Sequence, residues 1–164
     1  MNDQIPTVRN RLSGCKIKDG FSLVEILIVV SIIGILAAIV IPEFQNHTLQ
    51  ASETAAKDNL SILRKAIELY AMQHNGIAPG YPGNVSSATP TESDLISQLL
   101  DAHTMNQFPE NSFNGLSTVQ VLANGAAFPA VADDSTGWIY QPQTRNIRLN
   151  HAGADAAGTA YISY

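Results

Sequence analysis

Gly20-Phe21-Ser22-Leu23-Val24-Glu25 opens the stretch G-FSLVEILIVVSIIGILAAIVI-P, which runs from Gly20 to Pro42 and decides how the rest of the chain is read. Between Phe21 and Ile41 lie 21 residues, and Glu25 is the only charge among them. As a helix this is about 32 Å long, one bilayer hydrocarbon core. An ionisable group inside such a span is costly and marks a functional site by default. A plain uncleaved anchor accounts for neither Glu25 nor Gly20-Phe21. A secretory signal peptide fits poorly, because the apolar run exceeds a usual h-region and the small residues Ala37-Ala38 lie inside it.

Working outward, residues 1–20 are polar and carry Arg9, Arg11, Lys16 and Lys18 against Asp3 and Asp19, a balance of +2. Positive charge before an apolar span holds that end in the cytoplasm. The remaining residues hold five basic and twelve acidic side chains, −7, which argues against nucleic acid as a partner. Arg145 and Arg148 are the local exception and read as a solvated face. The sole cysteine is Cys15, so no intramolecular disulfide can form.

Beyond Pro42, Leu49, Ser52, Ala56, Leu60, Leu63, Ile67, Tyr70 and His74 recur every three or four residues, one stripe of an amphipathic helix. One helix is therefore expected from about Phe21 to His74, apolar all round at first and one-sided later. Asn75-Gly76 supplies its left-handed stop. Gly34 and Pro42 interrupt it locally, and Pro42, which lacks a donor and crowds the carbonyl of Ala38, predicts a kink or melted turn. Thr89-Pro90-Thr91-Glu92 reads as a capping box opening a short helix over 90–102, burying Leu95, Ile96, Leu99 and Leu100. Strands are expected at 116–122, weakly at 126–131 across an Asn124-Gly125 hairpin turn, at 138–141 and at 147–150. The fold class is α+β: a long N-terminal helix packed on a small antiparallel sheet. The expected divisions are 1–20, 21–42, 43–75 and 76–164.

Gly20-Phe21-Ser22-Leu23-Val24-Glu25, the unbroken apolar run and Pro42 resemble the N-terminal signature of type IV prepilins and of type II secretion pseudopilins. Counted from Phe21, Glu25 is fifth and Pro42 twenty-second, as in that family. The resemblance implies a 1–20 leader cut between Gly20 and Phe21 by a prepilin peptidase, with N-methylation of Phe21. It implies that Glu25 pairs with the Phe21 amine of a neighbouring subunit in a helical filament. The tail GWIYQPQTRNIRLN loosely resembles the closing hairpin of G-type pseudopilins, which tilts the expectation to a type II secretion pseudopilus. The alternatives are a type IV pilus subunit acting in adhesion, motility or DNA uptake, and a membrane-tethered periplasmic binding domain that never polymerises. Expected partners are the prepilin peptidase, like subunits, an inner-membrane assembly platform and the bilayer. The expected topology is a single pass through the inner membrane, N-terminus cytoplasmic and C-terminal domain periplasmic or in a fibre.

An enzyme is not expected: His47, His74, His103 and His151 show no metal-ligand spacing, and no nucleotide-binding motif occurs. No cofactor is expected either. G-type pseudopilins carry calcium in their C-terminal loops, and Asp133, Asp134 and Asp155 are the local oxygen donors here, but their spacing matches no calcium loop.

Overall fold

The computed structural model describes residues 20–164; the expectations for the leader fall outside them. Contacts divide the chain into two units, Met1–Glu43 and Phe44–Tyr164. Helix α1, Leu23–Gln73, contributes to both and is helical throughout, Gly34 and Pro42 included. In the first unit nearly every apolar side chain is exposed, Leu23 at 82% and Ile39 at 67%. An 18-residue window there has a mean hydropathy of 3.0, long and apolar enough to cross a membrane.

The second unit is an α+β domain built on the later part of α1. The expected stripe is the one that packs: Ala56, Leu60, Leu63, Ile67 and Tyr70 are buried, and Ala66 and Ala71 join them. The helix ends as the sequence reads, with Asn75 (φ 55°) and Gly76 (φ 84°) left-handed and the Gly76 N–H returning to the carbonyl of Ala71 at 2.7 Å.

Helix α2 spans Glu92–Asp101 and starts two residues later than the Thr89 reading places it. Thr91 is the N-cap, its hydroxyl accepting from the Asp94 N–H at 3.0 Å. Glu92 closes no capping box; its carboxylate accepts the Val119 N–H at 2.7 Å and covers the outer edge of β1. Leu95 and Leu99 are fully buried, while Ile96 and Leu100 pack on the core from its margin.

Three strands form one sheet in the order β1 (Val119–Val121), β2 (Trp138–Gln141), β3 (Asn146–Leu149). β2 and β3 are antiparallel, Trp138 opposite Leu149 and Gln141 opposite Asn146. β1 runs parallel to β2, Val119 opposite Trp138, so the sheet is mixed rather than antiparallel throughout. The expected 116–122 strand shrinks to three residues, and 126–131 forms no strand. Asn124-Gly125 makes a turn, but the chain beyond it crosses the outer face of the sheet instead of pairing back. There Phe128 and Leu122 cover Ile139, and Phe128 meets the Arg148 guanidinium at 4.3 Å. Pro129 in this segment has no N–H for a ladder.

β2 is buried on both faces, which is why WIYQ shows no alternation. One face sends Trp138 and Tyr140, with Ile147 and Leu149 of β3, against α1 and α2. Their polar ends are satisfied: Trp138 Nε1–H donates to the carbonyl of Pro109 at 3.0 Å and the Tyr140 hydroxyl to that of Pro79 at 3.1 Å.

Candidate functional site

Gly20, Phe21 and Ser22 precede the helix, so the Gly20–Phe21 peptide bond lies in non-helical backbone, and Phe21 is 77% exposed. α1 starts at Leu23, and its early N–H groups have few partners: Ile26 N–H reaches the carbonyl of Ser22 at 3.2 Å. Glu25 stands in this first turn, where the helix dipole favours an anion. Its carboxylate has no ion-pair partner among the described residues, and the apolar side chains around it are bare. A Cβ on Gly34 would meet nothing within 4 Å, so nothing in the described chain requires glycine there. Ser31 bonds back to the carbonyl of Leu27 at 2.7 Å and is thereby satisfied within the helix.

The second unit carries a fastening that the sequence did not announce. Residues 151–164 fold back on α1 through three contacts. The Tyr161 hydroxyl donates to Glu53 at 2.8 Å, Arg64, which also reaches the β3 carbonyl of Ile147, donates to the carbonyl of Tyr164, and Lys57 lies 4.5 Å over the Tyr164 ring. Burial, then the Glu53 bond, pushes the Tyr161 phenol up to about 12; burial, then Asp155, does the same to Tyr164. Burial, with Arg148 nearby, holds Arg64 below its ordinary value.

Asp133, Asp134 and Asp155 are each occupied by protein donors. Asp133 accepts from Asn150 Nδ2, the Ser135 hydroxyl and the Ser135 N–H, which hold its carboxyl below the usual range, Asn150 foremost. Asp134 meets His151 Nδ1 at 2.6 Å and the Ala152 N–H. Asp155 takes the Thr159 and Ala157 N–H groups and the Tyr164 hydroxyl, and its carboxyl is likewise lowered, chiefly by Thr159. Among the described residues no three His, Cys, Asp or Glu gather as a metal site.

A second network centres on Gly137, whose carbonyl accepts from Asn111 Nδ2 at 2.9 Å and from the Asn150 N–H at 3.1 Å. Asn111 and Asn150 are both fully buried. A Cβ at Gly137 would sit 2.0 Å from the carbonyl oxygen of Leu116, so only glycine admits this approach.

A prokaryotic N-terminal methylation motif is matched over residues 15–41, the segment holding Gly20, Phe21 and Glu25. The prepilin peptidase-dependent protein D of Escherichia coli K12 is 32% identical over 140 residues, covering 82% of this chain and 86% of the relative. The chain belongs to the type IV pilin and pseudopilin family. The type IV major pilin protein PilE of Neisseria gonorrhoeae is 29% identical over 146 residues, 87% of this chain and 86% of that pilin. The type II secretion system core protein G of Pseudomonas aeruginosa is 39% identical, but over 57 residues, 35% of this chain and 40% of that one. No solved structure matches the chain. This pilin-like chain is thus a membrane-anchored structural subunit of a family that assembles with related subunits after prepilin processing.

Proposed function

We propose that the chain is a subunit of a type IV pilus. It is cut between Gly20 and Phe21, methylated at the new amine, and drawn from the inner membrane into a helical fibre whose interior is the bundled Phe21–Ile41 helices. The reading is carried by the extent of likeness: the type IV major pilin PilE aligns over 87% of this chain and a fimbrial protein of Pseudomonas aeruginosa over 66%, the secretion protein G over 35%. Cleavage gives Phe21 a positive amine close to Glu25. Both charges are then costly in hydrocarbon unless paired. Two unit charges about 4 Å apart attract by about 4 kcal/mol at an effective dielectric of 20, enough to fix the register of an incoming subunit. The exposed apolar face of α1 supplies the packing, with Gly34 allowing close approach of a neighbouring helix.

The test is direct. Glu25→Leu leaves insertion and cleavage intact, seen as a mature mass beginning at N-methylated Phe21, and abolishes fibres by electron microscopy. Normal fibres from that variant would overturn the mechanism. A pseudopilus role is the second reading, favoured by the Trp138–Leu149 hairpin and the absence of a cysteine pair. Deleting the gene separates the two: loss of surface fibres with secretion intact supports the pilus, and the reverse supports the pseudopilus.

A further inference from the structure

The domain from Phe44 to Tyr164 holds five basic and ten acidic residues, and they are not evenly spread. Acids crowd the end nearer Phe44. Glu53 binds Tyr161, Asp155 binds Tyr164 beneath Lys57, and Asp134 binds His151, which stacks on Phe113 at 4.4 Å. Asp58 lies on the same turns of α1, and the Glu110 backbone carbonyl is held there by Asn59. The Asp58 and Glu110 side chains are exposed and accept no hydrogen bond or ion pair among the described residues. Lys57 and Arg64, both against Tyr164, are the cations that face this end among the described residues.

At the other end, beyond the last turn of α1, a cleft of about 420 Å³ opens between Gly76–Ala78 and the β2–β3 turn, lined by Tyr81, Ser86, Gln143 and Arg145. Arg145 is its only charge. Its backbone is left-handed (φ 56°), a conformation that glycine takes without steric cost and arginine does not. Its side chain meets Glu68 at 3.5 Å, and both partners are close to half exposed, a pair that solvent screens and that exchanges easily. Asn59 and Glu68 are about 14 Å apart along the helix, so the acidic end and the cationic cleft face different neighbours.

An open helical filament requires a heterologous contact, in which one patch of each copy meets a different patch of the next. We propose that the Arg145 cleft receives the acidic end of a second copy of this chain, with the unbonded carboxylates of Asp58 and Glu110 as the groups it engages. The inference rests on the fibre reading above and names the outer contact of that fibre. Glu68 is the internal competitor that occupies Arg145 before docking.

The experiment uses the full chain expressed in its cell, with fibre yield normalised to the processed subunit in the membrane. Arg145→Gly removes the cation while easing the backbone, and is expected to lower fibre yield at least tenfold with the membrane pool unchanged. Glu68→Gln, which frees Arg145, is expected to raise the yield. Arg145→Glu and the double change Asp58→Lys with Glu110→Lys each suppress fibres, and combining all three restores them to within about threefold of the parent. Parental fibre yield from Arg145→Gly, or no recovery in the charge-swapped chain, overturns the inference. Either result leaves the pilus reading standing, because that reading is decided separately, by whether deleting the gene removes surface fibres or secretion.

Discussion

Gly137 accepts two buried asparagines on its carbonyl, and the Leu116 carbonyl occupies the place a Cβ would take, so three segments meet at one residue without a side chain. Gly137→Ala forces backbone against backbone and is expected to cost about 1–3 kcal/mol or more, read as a lowered thermal midpoint of the detergent-solubilised chain. Glu25 is the opposite kind of residue, without an ion-pair partner among the described residues and, in the proposed fibre, paired between chains. Its replacement by leucine should leave that midpoint unchanged. Glu25 stands out in the sequence because a lone charge among apolar residues violates local expectation. Gly137 was not legible, because Ser-Thr-Gly reads as an ordinary turn and the close approach comes from residues more than 20 positions away.

At the scale of elements, α1 was the most readable part, since its period persists over many turns and its stop uses Asn75-Gly76. The start of α2 was misread by two residues. Thr89 and Thr91 both offer a capping hydroxyl; Thr91 is the cap, and Glu92 after it bonds the β1 edge instead of closing a box. Thr91→Ala should therefore cost about 1 kcal/mol, measured by chemical denaturation, whereas Thr89→Ala should cost little. The parallel pairing of β1 with β2 escaped the reading because three-residue strands carry almost no register signal. Pro42 withholds one helical donor from α1. Pro42→Ala should slow amide exchange across residues 38–43 and leave exchange in 95–99 unaffected.

Taken whole, the domain has an acid and an alkaline limit set by different groups, carboxyls on one side and phenols on the other. The Asp133 and Asp155 carboxyls are lowered in the fold, so the stability they contribute is complete above their ordinary 3.8 and drains away as pH falls further. Tyr161 and Tyr164 are raised to about 12, so their contribution is complete below 10.0 and disappears as pH climbs through that higher value. Thermal midpoints against pH should show a plateau between these limits, and Tyr161→Phe should soften the alkaline edge. The closing segment is held by a guanidinium, a phenol and stacked rings, and no cysteine lies beyond Cys15. A subunit built this way needs no oxidising catalyst to mature once it reaches the far side of the membrane. Dithiothreitol should leave its fibres as strong as before, and bacteria stripped of thiol oxidases should still make them.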